Sequence, residues 1–368
     1  MMNFSRWALR KIKLFVLYWT RIVFVRNDFK VPFYIKLKAN IFGGYLGDQY
    51  MLYDFKHNDK KEYLSEFDWY RSRYINYPFD FAFNNKVICT EIFKDKIKFA
   101  DTYFIINKGI LHDFNKGPCQ YEEVISRLRQ NRKLIIKPFA LGKGNGVYLV
   151  EWVENGNLKS NGTDVKECFT KDKASHIRVD GKSVSNDCFT ELLEGLDQYM
   201  ICEYMRQHRY SDELYDKTTN TIRFITLRDT ETHKMKVFFA VQRIGTSDTI
   251  PVDNGSKGGL VAKIDLATGT LSEARCLKNT DSYDFHPDSL NPIKGVKIPG
   301  WTDIKQDILD LCDQIPYMDF IAWDLLITDE GVCVIEANNS SGINIIQLWG
   351  GQRNGELGDF FRHYGVIK

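Results

Sequence analysis

The stretch FIAWDLLITDEGVCVIEANNSSG, from Phe320 to Gly342, has the pattern of a β-hairpin with two acids inside its apolar strands. Asp324 and Glu336 stand among isoleucines, leucines and valines, where a carboxylate is almost never fully buried unless it is paired or bound to a cation. We predict a three-residue turn at 329–331, because a glycine at its last position suits a type I turn closed by a bulge.

This turn pairs Thr328 with Val332 and sets Asp324 directly opposite Glu336, with Cβ atoms about 5 Å apart. Asn338 lies on the same face as Glu336, because strand side chains repeat every two residues. Two carboxylates at that separation repel each other without a counter-cation, and oxygen ligands without His or Cys favour Mg²⁺. The hairpin therefore predicts a magnesium site; the competing interpretation is a solvated outer face that bears charges.

The composition is that of a soluble globular protein, with 43% hydrophobic and 27% charged residues. The length of 368 residues predicts two or three packed units. A formal net charge of +2, without a finger or basic-zipper pattern, argues against nucleic-acid binding. The eight cysteines form no CxxC pair and no Cys/His cluster, so we expect free thiols in a reducing cytoplasm rather than a zinc site or a disulfide scaffold.

The first forty residues are basic. They hold nine Lys and Arg side chains against one acid, Asp28, so their charge is +8 and the rest of the chain carries −6. The longest uncharged run, Leu14–Thr20, is far shorter than the roughly 20 residues that a membrane span requires. Arg21 interrupts the apolar region that a signal peptide would need. The segment predicts a helix that either lies on an anionic inner leaflet or packs on the protein with its charges solvated.

Clusters of strands alternate with single helices along the chain, which predicts α+β or α/β layers rather than a doubly wound sheet. The predicted helices cover residues 54–76, 84–96, 120–131, 188–196 and 303–315. The predicted strands cover residues 133–139, 147–152, 198–205, 220–229 and 235–245.

A buried strand that ends in Lys137 is followed by the glycine-rich run GKGNG at 142–146. Backbone N–H groups of such a loop can approach phosphate oxygens closely, because glycine has no Cβ in the way. The run does not have the GxxxxGK[ST] spacing, and the strand after it argues against a dinucleotide-binding turn. Many tight hairpins also carry glycines, so the lysine that ends a buried strand is the stronger indication of a phosphate site.

The ordered set of motifs resembles the ATP-grasp superfamily over residues 80–350. The motifs are Lys86, IIKP, GKGNGV, ICEYM, NTIRF and the acidic hairpin. The details NTIR, VDNGSKGG and FHPDS are most similar to the sugar-transfer-associated branch, which is found with surface-polysaccharide genes in bacteria. The resemblance implies an α+β ATP-grasp fold with two α+β subdomains that clasp ATP. On this basis we divide the chain into an N-terminal region (1–128), a lid subdomain (129–203) and a core subdomain with the hairpin (204–368).

The resemblance also implies ATP and two Mg²⁺ ions as cofactors. The implied nucleotide-binding residues are Lys86, Lys137, Gly142, Gly144, Gly146, Glu203, Tyr204, Met205 and Asp212. The lysines would contact phosphates, and the glycine loop would close over them. The backbone of 203–205 would read adenine, with the Glu203 side chain near the base. Gln207, His208 and Asp212 are alternatives for the ribose.

Arg223, Arg243 and Lys137 are the implied catalytic residues. The two arginines would face the γ-phosphate and an acyl phosphate formed from it, and Asp324, Glu336 and Asn338 would hold the metal. Each arginine stands among apolar strand residues, where an unpaired guanidinium is costly, so it needs an anionic partner: phosphate or a structural carboxylate. Lys86 has a surface lysine as its alternative. His286 is either a base or substrate contact, or a turn-stabilising histidine.

The implied activity is that of an ATP-dependent carboxylate–amine ligase acting through an acyl phosphate. It would join an amino acid or amine to a carboxylate, such as a uronic acid, in capsule or O-antigen synthesis. Two alternatives stay open: a kinase of a sugar or lipid-linked hydroxyl, and a nucleotide-binding scaffold of a glycosyltransferase complex. The expected partners are a small-molecule or sugar-linked carboxylate, an amine, glycosyltransferases, and a membrane contacted through residues 1–40; the expected location is cytoplasmic, at the inner membrane face.

Overall fold

The computed structural model describes residues 4–140, 146–153 and 176–368. Their helices are α1 (Phe4–Tyr18), α2 (Phe33–Gly43), α3 (Gly47–Leu52), α4 (Glu66–Ser72), α5 (Asp80–Asn84), α6 (Lys86–Phe93), α7 (Tyr121–Asn131), α8 (Asn186–Glu194), α9 (Arg209–Leu214), α10 (Trp301–Asp313), α11 (Ile343–Gln347) and α12 (Glu356–His363). A π-helical turn at Trp19–Val23 continues α1, and 3₁₀ turns lie at Lys60–Glu62 and Gly255–Lys257.

The strands are β1 (Thr102–Asn107), β2 (Ile110–Asp113), β3 (Gly117–Pro118), β4 (Lys133–Pro138), β5 (Tyr148–Trp152), β6 (Ile177–Val179), β7 (Lys182–Val184), β8 (Tyr199–Glu203), β9 (Ile222–Arg228), β10 (Met235–Ile244), β11 (Leu260–Ile264), β12 (Leu271–Cys276), β13 (Ser282–Tyr283), β14 (Phe320–Thr328) and β15 (Gly331–Asn338).

The chain separates into two compact units. The large unit comprises Met1–Asn84 and His208–Lys368, and the small unit comprises Asn85–Gln207. In the described residues, the large unit holds a sheet in the order β13-β12-β11-β10-β9-β14-β15, and the small unit holds one in the order β3-β2-β1-β8-β4-β5-β6-β7. Helices and two antiparallel sheets make the fold α+β, as predicted. The predicted division into three parts, with boundaries after residues 128 and 203, differs from these two units and stays a prediction.

The hydrophobic pattern located most of the long elements correctly. The helices predicted at 84–96, 120–131, 188–196 and 303–315 are α6, α7, α8 and α10, and all five predicted strands are present. The predicted exposed helix at 54–76 is wrong, because only Glu66–Ser72 is α-helical. Tyr63, Leu64 and Tyr70 are buried, so this segment follows the shape of the core rather than a helical repeat.

One face of the large sheet carries the main core. Ile225 and Val241 on central strands pack with Ile343 of α11 and Phe361 of α12 in one cluster of buried residues. The small unit has its own core, in which Ile136 of β4 and neighbouring strand residues pack with residues of α7 and α8. Each unit therefore buries its own apolar face, as an independent layer of sheet and helices must.

Residues 45–84 are built into the large unit. The side chain of Asn76 donates to the carbonyl of Phe320 at 2.6 Å and accepts from the N–H groups of Asp319 at 2.8 Å and Phe320 at 3.1 Å. The N–H of Leu64 donates to Oε1 of Gln347 at 2.7 Å. These buried bonds hold the start of β14 and the end of α11, on either side of the acidic hairpin.

Two further expectations concern thiols and membrane spans. Six cysteines in the described part of the chain are free thiols, but Cys188 is disulfide-bonded, so the expectation of free thiols is wrong at that position. Among the residues with described coordinates, no helix is long and apolar enough to cross a membrane.

The Asn76 bonds predict the effect of a single substitution. Asn76→Ala leaves the Phe320 carbonyl and two N–H groups without their partner, which should cost about 2 kcal/mol of unfolding free energy. Urea denaturation followed by tryptophan fluorescence measures it, since six of the seven tryptophans lie in the large unit. The exposed Asn354→Ala is the matched control; equal stability of the two variants would contradict the role of Asn76.

Candidate metal and phosphate site

The turn of the acidic hairpin differs from the prediction. Thr328 pairs with Gly331, so the loop contains the two residues 329–330 and the predicted three-residue turn is wrong. Gly331 has φ +116°, a conformation that favours glycine. The hydroxyl of Thr328 donates to the carbonyl of Gly331 at 2.9 Å and closes the turn. A turn shorter by one residue would by itself move Asp324 away from Glu336.

A β-bulge restores the predicted pair. Leu325 pairs with Val334 and Asp324 with Glu336, so Ile335 is an extra residue on β15. The pairing of Asp324 with Glu336 is therefore confirmed, although by compensation between a shorter turn and a bulge.

The hairpin and the adjacent strand place four polar side chains on one face. Asn338 pairs with Ala322, and its Nδ2 donates to Oε1 of Glu336 at 3.2 Å, so Asn338 and Glu336 share a face as predicted. On the other side of β14, Asp324 pairs with Arg223 of β9. Glu336, Asp324 and Arg223 thus form one row across three neighbouring strands.

Two guanidiniums, whose side chains are each 14% exposed, share Asp324. Nη2 of Arg223 and Nη1 of Arg243 donate to its Oδ2 at 3.2 and 3.3 Å. Nε of Arg223 lies 2.7 Å from Oδ1 of Asp324, but neither atom makes a hydrogen bond. This contact is therefore an ion pair whose angle does not suit a hydrogen bond. The second nitrogen of Arg243 donates to Oδ1 of Asp253 at 2.6 Å. The structural carboxylate is therefore present for both arginines, and their contact with phosphate stays a prediction.

The electrostatics show that these groups act on one another. Burial raises the pKa of Asp324 to about 6, while Arg223 and Arg243 lower it and Glu336 raises it. Burial opposes the charge of Arg243, but Asp253, Asp324 and Glu336 outweigh it and raise the pKa of Arg243 above its ordinary value. When all five groups are ionised, three carboxylates face two guanidiniums, which leaves one negative charge in excess.

Asp253 is a site residue that the sequence analysis did not assign. Its Oδ2 accepts from the N–H of Thr221 at 2.7 Å and from the hydroxyl of Thr221 at 2.6 Å, while Oδ1 holds Arg243. A Cβ on Gly259 would lie 2.8 Å from the carbonyl of Asp253, so glycine is required beside it. The sequence offered one signal for Asp253: it is the acid of VDNGSKGG and lies ten residues after Arg243, which needed an anionic partner.

The donor set fits a hard divalent cation. Among the described residues, no group of three or more His, Cys, Asp or Glu side chains forms a metal site; this one has two carboxylates and an amide. Oδ1 of Asp324 is buried without a hydrogen bond, and the cluster has an excess negative charge. Oxygen donors on one face suit Mg²⁺. Asp324, Glu336 and Asn338 would hold it, and the number of ions stays a prediction.

In the small unit, the structure brings Lys86 and Lys137 close together. Lys86 begins α6, and its N–H donates to the carbonyl of Phe139, two residues beyond Lys137. Burial raises the pKa of Cys202, and both Lys137 and Lys86 pull it down, so the two ammonium groups lie near the same thiol. Two half-buried lysines at one end of the sheet suit an anionic ligand such as phosphate.

The glycine loop is described only at its end, because Gly142 and Gly144 lie outside the described residues. Gly146 has φ +71°, and a Cβ there would lie 2.3 Å from Oη of Tyr199. The positive φ therefore favours glycine at this position, and a larger residue would also displace the Tyr199 hydroxyl. The approach of this loop to phosphate stays a prediction.

The residues predicted to bind adenine and ribose lie at and after the end of β8, and their roles stay predictions. Glu203 pairs with Leu134, and Lys137 pairs with Met200, so by strand alternation Glu203 and Lys137 point to opposite faces. Oε2 of Glu203 accepts from the N–H of Asp101 at 3.4 Å. Tyr204 and Met205 follow β8 and are half-buried.

The three ribose candidates have different surroundings. Gln207 is buried. Nδ1 of His208 accepts from the N–H of Tyr210 at 3.1 Å and caps α9, and Asp212 lies half-buried in the first turn of that helix. The choice among the three stays open.

His286 stabilises a turn. Its Nδ1 accepts from the N–H groups of Asp288 and Ser289, both at 3.2 Å, so Nε2 carries the proton and donates to the carbonyl of Gly245 at 2.8 Å. The ring is buried and stacks on Tyr215 at 4.5 Å. Burial lowers the pKa of His286. Both nitrogens have backbone partners, which favours the turn-stabilising interpretation over a base.

The family follows from a sequence match. The family model described as sugar-transfer associated ATP-grasp matches residues 68–354, more than three quarters of the chain. The chain belongs to this family. Its fold is accordingly the ATP-grasp fold, as the ordered motifs predicted. A search of the curated proteins found no match.

Solved structures give more distant likenesses to this ATP-grasp protein. D-alanyl-alanine synthetase A from Vibrio cholerae O1 biovar eltor is 11% identical over 77% of this chain and 64% of its own, with a TM-score of 0.42. The ATP-grasp ligase PsnB, complexed with minimal precursor, is 12% identical over 79% and 63%, with a TM-score of 0.38. The ADP complex of N5-carboxyaminoimidazole ribonucleotide synthetase is 10% identical over 71% and 46%, with a TM-score of 0.34. The chain covers less than two thirds of the length of each of these proteins.

The ligand set can be tested by metal binding. Glu336→Gln and Asn338→Ala should each weaken Mn²⁺ binding in the presence of ADP by at least about tenfold, because each removes or neutralises an oxygen donor. Electron paramagnetic resonance measures free Mn²⁺ directly. Asp329→Asn, at the tip of the same hairpin with its side chain 76% exposed, is the control. Unchanged Mn²⁺ affinity in Glu336→Gln would remove Glu336 from the ligand set.

Proposed function

We propose that this protein is an ATP-dependent ligase that joins a carboxylate to an amine through an acyl phosphate. The observation that carries the proposal is the row of Glu336, Asp324 and Arg223, completed by Asn338 and Arg243. A metal site alone needs no guanidinium. Two arginines beside a set of magnesium donors suit a phosphoryl group that is both bound by metal and neutralised by fixed positive charges.

The reaction has two steps. An oxygen of the acceptor carboxylate attacks the γ-phosphorus of ATP, the bond to the β–γ bridging oxygen breaks, and ADP leaves. The nitrogen of the amine then attacks the acyl carbon, the C–N bond forms, inorganic phosphate leaves, and the amine loses a proton to solvent. Positioning and charge stabilisation supply the rate enhancement.

The side chains of the large unit would serve these steps without a covalent enzyme intermediate. Asp324, Glu336 and Asn338 would hold Mg²⁺, which would supply positive charge to neutralise the phosphates of ATP. Arg223 and Arg243 are held by carboxylates that fix their guanidinium planes, so little reorganisation is needed when charge develops on the transferred group. Asp253 is a positioning residue, because it acts through Arg243. In the small unit, Lys86 and Lys137 are proposed phosphate contacts.

The acceptor is proposed to be a uronic acid or another sugar-linked carboxylate used in capsule or O-antigen synthesis. The family description, sugar-transfer associated, supports a saccharide acceptor. We further propose that the protein works in the cytoplasm at the inner membrane face, beside glycosyltransferases that use the product. The basic and apolar N-terminal helices support a membrane location.

Trapping with hydroxylamine tests the ligase chemistry. Purified protein with ATP, Mg²⁺, a panel of uronic and amino acids, and hydroxylamine should form a hydroxamate and equimolar ADP, because hydroxylamine intercepts an acyl phosphate. Glu336→Gln should lower kcat by at least about a hundredfold, since it removes charge from the metal site. Asp329→Asn should retain full activity.

Other products would point to the alternatives. A stable phosphorylated sugar, formed without any amine or hydroxylamine, would show a kinase and overturn the ligase. Absence of ADP release with the whole panel, together with intact nucleotide binding, would favour a scaffold.

A further inference from the structure

We propose that α1 and α2 form a surface that binds an anionic lipid bilayer from one side. In the described residues, ten of the twenty exposed large hydrophobic side chains lie between residues 7 and 42. This segment is about a tenth of the chain, so the clustering is far from uniform. Scattered single apolar side chains are normal on a surface, whereas a contiguous set marks a binding face.

Helix α1 has two apolar faces, and one of them is already covered. Leu14 is buried, and it packs with Leu17, Tyr18 and Tyr70 in a small cluster. The guanidinium of Arg10, one turn before Leu14, lies 4.2 Å from the centre of the Tyr74 ring. This face holds the helix on the large unit.

The opposite face of α1 is uncovered. Leu9, Ile12 and Val16 are 65%, 60% and 50% exposed, and their spacing of three and four residues places them on one side of the helix. At 100° per residue, that side points away from Leu14 and its neighbours. A helix that needed only to pack on the protein would carry polar side chains here.

The second helix adds aromatic side chains to the surface. Phe33 and Tyr34 begin α2 and are 78% and 71% exposed, and Leu37 follows one turn later. Phe24, between the two helices, is 74% exposed. Exposed aromatic rings beside aliphatic side chains are typical of helices that lie in the interface of a bilayer.

The positive charge of residues 1–40 indicates that the partner of this surface is an anionic bilayer. Residues 1–40 carry +8 in a chain whose net charge is +2. Lys11 and Lys13 are exposed, and on the helical wheel they lie between the covered and uncovered faces of α1. Long lysine stems can follow an inserted apolar face while their ammonium groups stay at the headgroups. An anionic lipid surface satisfies both features, apolar insertion and a ring of positive charge.

Vesicle co-sedimentation of the full chain tests the surface. The protein should bind vesicles of phosphatidylglycerol and phosphatidylcholine much more strongly than vesicles of phosphatidylcholine alone, and high salt should weaken binding. The triple variant L9Q/I12Q/V16Q should lose at least about tenfold in partitioning. The matched control I250Q/F285Q/L290Q changes three side chains that are 50%, 60% and 74% exposed elsewhere and should bind as wild type.

Lysine substitutions test the role of charge, and light scattering tests whether the partner is a second copy of the protein. K11Q/K13Q should reduce binding to the anionic vesicles, whereas the exposed pair K234Q/K278Q should not. Circular dichroism and thermal midpoints establish that all variants fold. Absence of vesicle binding, equal binding to neutral vesicles, or equal binding of the triple variant would overturn the proposal. So would a dimer in light scattering that the triple variant abolishes, because the face would then be a self-association surface.

A second observation concerns a pocket of about 640 Å³ within the large unit. Its lining comes from residues 50–63, from β12 and the loop after it, and from the end of α11. We infer that this pocket holds the saccharide part of the acceptor; the inference rests on the proposed function. Residues 50–63 precede the family match at 68–354, so part of the lining is a feature of this chain beyond the matched region.

The sheet register places the pocket beside the arginine cluster. Arg243 on β10 pairs with Val261, and Val261 pairs with Arg275 on β12, which lines the pocket. Arg243 and Arg275 therefore stand in one cross-strand row, on the same face, about 10 Å apart at two strand spacings. An acceptor in the pocket would lie next to the groups proposed to face the acyl phosphate.

The lining combines aromatic rings with amides and a guanidinium. Tyr50, Tyr63 and Trp349 supply rings, and Asn279 supplies an amide. The guanidinium of Arg275 lies 5.5 Å from the Trp349 ring; its Nη1 donates to the carbonyl of Leu348, and its Nη2 donates to Oε1 of Glu273 at 3.4 Å. Apolar surfaces with a few polar groups are typical of small-molecule sites, and the long contact of Arg275 with Glu273 shows that this guanidinium pairs with a carboxylate. A uronic acid has both a ring and a carboxylate.

Binding and kinetics with D-glucuronate and D-glucose as probes test the pocket. Glucuronate should bind, glucose should bind more weakly, and R275Q should raise the KM for glucuronate at least about tenfold with little change in the KM for ATP. K56Q, at the rim, should act in the same direction without disturbing Arg275. K278Q, an exposed neighbour outside the pocket, is the control.

The outcomes separate the pocket from the proposed activity. Glucuronate binding that E336Q retains and R275Q loses supports the pocket even if no ligase product forms. Hydroxamate formation from a uronate with unchanged KM in both R275Q and K56Q keeps the ligase and overturns the pocket. Failure of glucuronate to bind, while the Mn²⁺–ADP complex forms, also overturns it.

Discussion

The pairing of Asp324 with two largely buried arginines is the constraint on which the site depends. Two guanidiniums and a carboxylate inside an apolar sheet each carry a large desolvation cost, and each is tolerated only because the others are present. Asp253 completes the set by holding the far side of Arg243. The register of β15, β14 and β9 places Glu336, Asp324 and Arg223 side by side, so the chemistry of the site depends on the register of the sheet.

The N-terminal region joins this arrangement through buried polar contacts. The side chain of Asn76 is hydrogen-bonded to the start of β14, and Gln347 at the end of α11 accepts a hydrogen bond from the N–H of Leu64. Oδ1 of Asn344 accepts from Tyr53 at 2.7 Å, which adds a link across nearly 300 residues of sequence. Residues 45–84 therefore support the elements that carry the ligands, and the same segment lines the pocket that adjoins them.

The site was predictable in its residue types and less so in its partners. The acids of the hairpin are visible because carboxylates are rare in apolar strands, and their pairing survived a wrong turn length because the bulge at Ile335 compensates for it. Asp253 was not predictable, since nothing local shows that a loop acid will meet Arg243. Residues 54–76 misled the prediction because Asp59 and Asp68 lie at the starts of two separate short helices, so the charges do not belong to one continuous helix.

The sequence by itself determined the family, the α+β class, the long helices and strands, and the presence of two acids inside an apolar hairpin, because periodicity and motif order are local properties. The bulge that sets Asp324 opposite Glu336 was decided by the tertiary structure. Only the tertiary structure decided that carboxylates accompany both arginines, that His286 stabilises a turn, and that one face of α1 is left uncovered. Such facts depend on contacts between distant segments, where burial and charge compensation select the partner, and no spacing along the chain records them.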